Sequence, residues 1–178
     1  MIISDQQREE NYQEYVRLLN DSDYIEVTFD EQSGGVSAIH SSHRFDKQIG
    51  PNGIKRGYYE YHVLNVYRKA GHSVILLKES EEVGKKQYDG LLDSIPCEIK
   101  TIERIGRWTI RTKIGDAIKQ GAIIVVLYFP EPMLFSQELV QNGWKDYIDY
   151  SDPFKLISEI QIQCIVNDQI RVIEKPSW

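Results

Sequence analysis

The stretch that decides the fold runs Lys86-Gln-Tyr-Asp-Gly-Leu-Leu-Asp-Ser-Ile-Pro-Cys-Glu-Ile-Lys-Thr-Ile102. Its apolar and polar residues alternate on both sides of Asp93-Ser94, a pair typical of a tight turn. The pattern predicts two strands, Lys86–Leu91 and Ile95–Ile102, that form an antiparallel hairpin. A hairpin in the middle of the chain indicates a core that contains a sheet, with neighbouring segments packed on it.

The predicted hairpin presents three charged side chains on one face. A loop centred between residues 93 and 94 pairs residues whose numbers have the same sum, so Asp89 is expected opposite Glu98. Lys100 shares the face of Glu98, because side chains alternate along a strand. Opposed Cβ atoms are about 4.5 to 5.5 Å apart, where like charges are destabilising. The repulsion must be offset by a bound cation, a raised pKa on one acid, or solvent exposure.

Two carboxylates and a lysine suit chemistry at a phosphodiester. Mg²⁺ takes oxygen ligands, usually one or two carboxylates with waters and substrate phosphates. We therefore expect Asp89 and Glu98 to bind Mg²⁺ or Mn²⁺. Lys100 would lie beside the reacting phosphate, where it either lowers the pKa of the attacking water or stabilises charge on the transition state.

The segments flanking the hairpin predict the rest of the core. Apolar residues recur at helical spacing in two of these segments, the first of which is followed by Gly71. A continuous Val/Ile run in the last segment is typical of a strand covered on both faces. The predicted elements are a helix at Tyr58–Ala70, a strand at Ser73–Leu77, a helix at Lys113–Gln120 and a central strand at Ala122–Phe129.

Accessory elements are predicted at both ends of the chain. They are a helix at Asp5–Asn20, a strand at Tyr24–Phe29, a loop-rich connector that contains Ala38–Asp46, a helix at Ser136–Asp149, and a hairpin with its turn at Asn167-Asp168. The fold class is therefore α/β (α+β): a sandwich with a central mixed sheet flanked by helices, plus an N-terminal helix and a C-terminal hairpin.

Length and composition suit one compact domain. The chain has 178 residues, of which 41% are hydrophobic and 27% charged, as in an ordinary globular protein. We divide it into an N-terminal extension (1–57), a core (58–130) that contains the predicted hairpin, and a C-terminal helix and hairpin packed on the core (131–178).

Membrane and export signals are not expected. The longest apolar run, Ala122–Pro130, is about half of the roughly 20 residues that a membrane-spanning helix needs, and the acidic N-terminus lacks the pattern of a signal peptide. Cys97 and Cys164 lie in alternating apolar segments and are interpreted as buried thiols. These features indicate a cytoplasmic protein with no membrane partner.

The charge is unevenly distributed along the chain. The net charge of -6 argues against a nucleic-acid partner, but nine acidic residues against two basic ones precede position 32, whereas residues 100–119 carry six basic residues against two acidic ones. The basic residues after the hairpin are interpreted either as phosphate contacts or as a solvated face, and Trp108 either stacks on a base or packs. The predicted nucleic-acid contacts are Arg104, Arg107, Arg111 and Lys113.

Glu60 stands out on the predicted helix because it shares the apolar face of Val63, Leu64 and Tyr67. Burial of an unpaired acid costs several kcal/mol. Glu60 therefore either lies at the edge of that face or meets a partner such as a metal-bound water or Lys100.

Two histidines, His40 and His43, precede this helix in the loop-rich connector. They would share a metal if they were helical, but hydrogen bonding to the backbone better suits loop histidines. We leave both outside the predicted catalytic set.

The order of these acids resembles the PD-(D/E)xK nuclease superfamily over about Tyr58 to Phe129. The residues that carry the resemblance are Glu60 on a helix, Asp89-Gly90, and Glu98-Ile99-Lys100 followed by a helix and a buried strand. It implies a restriction-endonuclease-like core in which Asp89, Glu98 and the carbonyl of Ile99 bind divalent metal. It also implies that Lys100 is the catalytic lysine and that Glu60 completes the site. Tyr88 departs from the motif's proline, and the spacing from Asp89 to Glu98 is short.

A narrower resemblance begins before the core. The segment Gly34–His40, then His43 and Phe45-Asp46, resembles the C-terminal toxin domains of contact-dependent growth inhibition systems and related phage-borne proteins. Several such domains cleave tRNA and others cleave DNA. The resemblance implies structured RNA in preference to DNA, a cognate immunity protein, and delivery into a target cell.

Residues and resemblance together predict a metal-dependent endonuclease with Glu60, Asp89, Glu98 and Lys100 as catalytic residues. The alternative is a non-catalytic nucleic-acid-binding or phage-associated interaction domain that keeps the fold with a silent site. Metal binding discriminates the two, since a silent domain has no need of a cation between Asp89 and Glu98.

Overall fold

The structure is a computed structural model that mixes helices and strands. It describes residues 3–45, 49–50, 54–79, 82, 87–150 and 159–177. Within these ranges, no helix has the length and apolar character needed to cross a membrane. The described residues form two compact units: unit 1 within Met1–Lys85 and Asp89–Ile95, and unit 2 within Lys86–Tyr88 and Pro96–Trp178.

The described residues of unit 1 form two helices and six strands. They are, in chain order, α1 (Asp5–Leu19), β1 (Tyr24–Phe29), β2 (Val36–His40), β3 (Ile49–Gly50), β4 (Ile54–Arg56), α2 (Tyr58–Lys69), β5 (Ser73–Leu76) and β6 (Gly90–Leu92). β2 pairs antiparallel with β1 and parallel with β5, which pairs antiparallel with β6, so this sheet is mixed. β3 and β4 form a separate short antiparallel ladder.

The two helices of unit 1 pack on its sheet. α1 begins at the N-cap Ser4, whose Oγ accepts a hydrogen bond from the backbone of Gln7. Its buried Asn11 donates to the carbonyl oxygens of Gly34 and Gly71 at 2.9 and 3.0 Å. These two bonds fix the helix to the loops that precede β2 and β5.

The structure corrects part of the predicted loop-rich connector that contains Ala38–Asp46. Residues 36–40 form the strand β2, in which Val36 to Ile39 are buried; Asp46 lies outside the described residues. The two glycines before it suggested a loop, but Gly35 is needed for packing: an added Cβ would clash with the backbone oxygen of Arg68 on α2. Tertiary packing against α2 thus explains a glycine that reads as a loop signal.

The part of unit 2 that the structure describes forms four strands, two helices and a short 3₁₀ turn. They are β7 (Ile95–Thr101), α3 (Thr109–Lys119), β8 (Ile124–Phe129), the turn Pro132–Leu134, α4 (Gln137–Tyr150), β9 (Gln161–Val166) and β10 (Gln169–Ile173). β8 pairs parallel with β7 and β9, and β9 pairs antiparallel with β10, so the strands of this unit also combine parallel and antiparallel pairing. All six residues of β8 are buried, which confirms the predicted central strand.

The helices of unit 2 pack closely together and against this sheet. Gly143 of α4 lies against Ile110 of α3 so tightly that an added Cβ would overlap the Ile110 side chain. The hydrophobic core of unit 2 lies between these elements, and Trp144 and Phe129 are among its largest buried side chains. Cys97 and Cys164 are both buried, as predicted.

Both predicted tight turns have the backbone that a two-residue hairpin turn requires. The φ angles are 49° and 67° at Asp93 and Ser94, and 50° and 60° at Asn167 and Asp168. Positive φ at both central residues is characteristic of the type I′ turn, whose twist matches that of paired strands. Asp93 is held further by its carboxylate, which accepts from the backbone of Ser73 at 2.9 Å and lies 2.6 Å from His72 Nδ1.

Two predicted boundaries are wrong. The strand predicted at Lys86–Leu91 is confined to Gly90–Leu92, with Lys86 outside the described residues. The helix predicted from Lys113 begins at Thr109, because Ile110 and Ile114 are both buried on one face of α3. The polar residues Thr109, Arg111 and Thr112 interrupt the apolar pattern of its first turn. The predicted fold class, a mixed sheet flanked by helices, is confirmed.

Candidate functional site

The site in unit 2 is built on β7, where Glu98 and Lys100 point to the same side. β7 runs parallel to the fully buried β8, with Glu98 beside Val125 and Lys100 beside Leu127. The two side chains are 3% and 17% exposed, and Lys100 Nζ donates to Glu98 Oε1 at 2.6 Å. A charge-assisted bond this short compensates much of the cost of removing both charges from water.

Gln120, which follows α3, reaches the same carboxylate. With its amide nitrogen turned toward Glu98, it donates to Oε2 at 3.0 Å. The opposite orientation would place oxygen against oxygen and leave only a long 3.4 Å bond from Lys100 Nζ, so we adopt the first on hydrogen-bonding grounds.

The site in unit 1 is built on the first turn of α2 and the loop that follows β2. Glu60 is 5% exposed, and its Oε1 lies 3.0 Å from Nε2 of the buried His43. The other ring nitrogen of His43, Nδ1, lies 2.7 Å from the carbonyl oxygen of Leu77. The predicted position of Glu60 on the apolar face is confirmed, and its observed partner is a histidine.

This geometry favours the protonated form of the His43 ring. Both ring nitrogens face hydrogen-bond acceptors, and only the doubly protonated ring donates at both. Burial lowers the pKa of His43, but the hydrogen bonds to Glu60 and Leu77 and the charges of Glu60 and Asp89 outweigh it and raise the pKa above 6.5. The raised pKa means that the ring facing Glu60 keeps its proton to higher pH than an ordinary histidine does.

Leu77 connects this pair to Asp89. Its carbonyl accepts from His43, and its backbone nitrogen donates to the carbonyl oxygen of Asp89 at 2.9 Å. The negative charge of Asp89 contributes to the raised pKa of His43. Unit 1 therefore groups His43, Glu60 and Asp89 in one electrostatic neighbourhood.

Aromatic packing holds His43 in its loop position. Phe45 stacks on Tyr61 with ring centroids 5.0 Å apart and meets the His43 ring edge-on at 5.1 Å. Gly57, the residue before α2, has a left-handed backbone and lies so close to the Phe45 ring that a Cβ would overlap it. Contacts of Phe45 with Tyr61 and with Gly57 therefore hold the loop that carries His43.

The structure distributes the predicted catalytic residues between the two units. Glu60 and Asp89 belong to unit 1, and Glu98 and Lys100 belong to unit 2. Within the described ranges, no three His, Cys, Asp or Glu side chains form a group able to hold a metal. The pairing of Asp89 with Glu98 stays a prediction from the turn.

The histidines were expected to bond to the backbone, and both do. His40 Nδ1 accepts from the backbone of Ser42 at 3.0 Å, and His40 ends a strand. His43 also contacts Glu60, a role the sequence interpretation missed. The available signal was Glu60 itself, since an acid on an apolar face requires a nearby cation.

The predicted nucleic-acid contacts differ in their surroundings. Arg104 and Arg107 are exposed, whereas Arg111 and Lys113 are partly buried. The guanidinium of Arg107 lies 4.7 Å from the ring centroid of Trp108, so at least one of these arginines is ordered by an aromatic ring.

Comparisons with known proteins do not assign this chain to a family. No family model matches the sequence, and no curated protein matches it. The chain is similar to a solved structure described as "CdiA-CT/CdiI toxin and immunity complex from Burkholderia pseudomallei", with 16% sequence identity and a TM-score of 0.49, over 79% of this chain and 99% of that one. At this identity and TM-score the similarity carries no argument about activity or partners.

Proposed function

We propose that this protein is a metal-dependent endonuclease that cleaves phosphodiester bonds. The observation that carries the proposal is the buried Glu98–Lys100 pair, a carboxylate and an ammonium 2.6 Å apart on one face of a central strand. Buried charges are expensive to keep, so such a pair is more often found where chemistry needs it.

Asp89 and Glu98 are the proposed ligands of Mg²⁺ or Mn²⁺. The fit is one of donor chemistry: these metals take few protein carboxylates and fill the remaining positions with water and phosphate oxygens. A bound metal would neutralise charge on the phosphate and lower the pKa of an attacking water. The carbonyl of Ile99, between Glu98 and Lys100 in sequence, is a further candidate ligand.

The chain's own side chains supply the remaining functions. Lys100, fixed by its bond to Glu98, offers a positive charge to the phosphate oxygens as negative charge develops. Glu60, fixed by His43, supplies a carboxylate that orients water at the site. Arg104, Arg107, Arg111 and Lys113 contact the phosphate backbone.

Structured RNA, and tRNA in particular, is the proposed substrate, within a toxin that has a cognate immunity protein. This part of the proposal comes from the segment Gly34–Asp46, whose resemblance to toxin domains is described above.

The test is a cleavage assay with total tRNA, single-stranded DNA and duplex DNA, each with Mg²⁺, Mn²⁺ or EDTA. The wild type should cleave tRNA only with metal. Lys100→Met should cleave roughly 10²- to 10³-fold more slowly, comparable to the loss of one transition-state donor, and Glu98→Gln should be similarly impaired.

Arg17→Gln, an exposed charge removal in unit 1, serves as the matched control and should cleave at the wild-type rate. Intact substrates under every metal, with all variants folded, would contradict the proposal and favour a silent nucleic-acid-binding or phage-associated interaction domain.

A further inference from the structure

Two aromatic rings and two arginines form a cluster on the surface of unit 2. We call it the cationic aromatic patch; it consists of Arg107, Trp108, Arg111 and Tyr150. Trp108 directly precedes α3 and Tyr150 ends α4. Their rings meet edge-to-face with centroids 6.3 Å apart and planes at 78°.

The arginines hold both rings in place. The guanidinium of Arg111 lies 5.2 Å from the centroid of Trp108 and 4.8 Å from that of Tyr150, and Arg107 lies 4.7 Å from Trp108. Cation–π contacts at these distances are favourable even in water. The patch is thus ordered before it binds anything, which lowers the entropy cost of binding.

The rings remain open to solvent despite these contacts. Trp108 is 39% exposed and Tyr150 is 67% exposed. Large aromatic rings left exposed together mark an interaction surface more often than a packing defect. Aromatic rings beside guanidinium groups suit a ligand that combines flat bases with negatively charged phosphates. The two rings lie at the ends of α3 and α4, which fix their positions.

We propose that the cationic aromatic patch binds unpaired bases of the substrate, and this inference rests on the proposed nuclease function. Tyr150 and Trp108 stack on exposed bases while Arg107 and Arg111 contact the flanking phosphates. Bases inside a duplex are already stacked and present no free face. The patch therefore selects single-stranded ends and loops of structured RNA over continuous duplex.

The test measures binding of the full chain in EDTA, so that no cleavage occurs. Fluorescence anisotropy compares three labelled RNAs of related sequence: a single strand, a hairpin with that sequence in its loop, and a fully paired duplex. Trp108→Ala and Tyr150→Ala should each bind the first two roughly tenfold more weakly and the duplex as the wild type does. Tyr150→Phe should keep its affinity, because stacking needs the ring and not the hydroxyl.

Tyr12→Ala is the matched control, since Tyr12 is an exposed aromatic residue of unit 1 at 43% exposure. It should bind all three RNAs as the wild type does. Equal losses on single strand and duplex would overturn the proposal. So would undiminished RNA binding by folded patch variants, which would leave the patch as a contact for an acidic protein.

The binding and cleavage measurements distinguish failure of the patch proposal from failure of the nuclease proposal. If the patch variants lose single-strand binding while the wild type never cleaves with metal, the patch is supported and the nuclease assignment is wrong. If the wild type cleaves and the patch variants bind every RNA normally, the patch proposal is wrong and the nuclease assignment stands.

Discussion

The two units each bury one carboxylate to a similar degree, but the partners of those carboxylates differ in kind. Glu60 in unit 1 is 5% exposed and lies 3.0 Å from Nε2 of His43. Glu98 in unit 2 is 3% exposed and lies 2.6 Å from Nζ of Lys100. An imidazole exchanges its proton near neutral pH, whereas an alkylammonium ordinarily keeps its charge throughout the physiological range.

The difference teaches that burial alone does not decide how an acid is used. The Glu98–Lys100 pair places an ammonium 2.6 Å from a carboxylate, which suits a group that must meet a phosphate. The Glu60–His43 pair depends on the protonation of a ring, so its electrostatic effect varies with pH. Substituting one residue of each pair at a time distinguishes the Glu98–Lys100 pair from the Glu60–His43 pair.

The largest effect is expected in unit 2. Lys100→Met leaves Glu98 buried without its cation and should lower the free energy of unfolding by about 3–5 kcal/mol, measured by urea denaturation. The double variant Glu98→Gln/Lys100→Met removes both charges and should recover much of that loss. A double variant as unstable as Lys100→Met would contradict the ion-pair explanation and point to lost packing.

A smaller effect is expected in unit 1. His43→Gln can still donate one hydrogen bond to Glu60 or to the carbonyl of Leu77, so one partner keeps its bond. The free energy of unfolding should fall by about 1–3 kcal/mol near pH 6, the cost of one unsatisfied buried group. A loss as large as that of Lys100→Met would show that the two pairs do not differ as described.

The pH dependence of that loss distinguishes the two units further. The folded pKa of His43 is raised, so its contribution to stability is fully present below the unfolded pKa of about 6.5 and is lost as the pH rises through the folded pKa. The difference in unfolding free energy between wild type and His43→Gln should therefore shrink from pH 6 to pH 9.

Glu60→Gln is the control for this profile, because removing the acid removes a main cause of the raised pKa. Adding His43→Gln to Glu60→Gln should change stability by an amount that varies less with pH. A wild-type difference that stays constant or grows toward pH 9 would be inconsistent with a protonated His43.

The smallest effect is expected for an exposed pair. Arg17 donates two bonds to Glu14 at 2.7 and 2.8 Å, shorter than the Glu60–His43 contact, yet its side chain is 54% exposed. Arg17→Gln should change the free energy of unfolding by less than about 0.5 kcal/mol. A loss comparable to those of the buried pairs would mean that bond length, and not burial, controls these interactions.

Much of the fold could be predicted because it depends on local pattern. The alternation and turn chemistry around Asn167-Asp168 and the apolar run of β8 were read correctly from neighbouring residues alone. β2 could not be read this way. Its parallel partner β5 is distant in sequence, and its preceding Gly35 serves a contact with α2 that no local pattern reveals.

The residues of the candidate site likewise differ in whether local sequence pattern could predict their contacts. Glu98 and Lys100 are two residues apart on a strand, so their shared face followed from alternation, and the structure shows them bonded. His43 is 17 residues from Glu60 and lies in a loop, where no periodicity applies. The need of Glu60 for a partner was predictable, but the identity of that partner was not.

Metal binding tests the central claim most directly. Titration calorimetry with Mn²⁺ would compare the wild type with Asp89→Asn and Glu98→Gln, each checked for folding. Asp93→Asn serves as a carboxylate control, because Asp93 is bonded to Ser73 and His72 in the turn. The account predicts that the wild type and the control bind Mn²⁺ and that each ligand variant binds roughly tenfold or more weakly. Folded wild type that takes up no Mn²⁺, or equal binding by all four proteins, would contradict it.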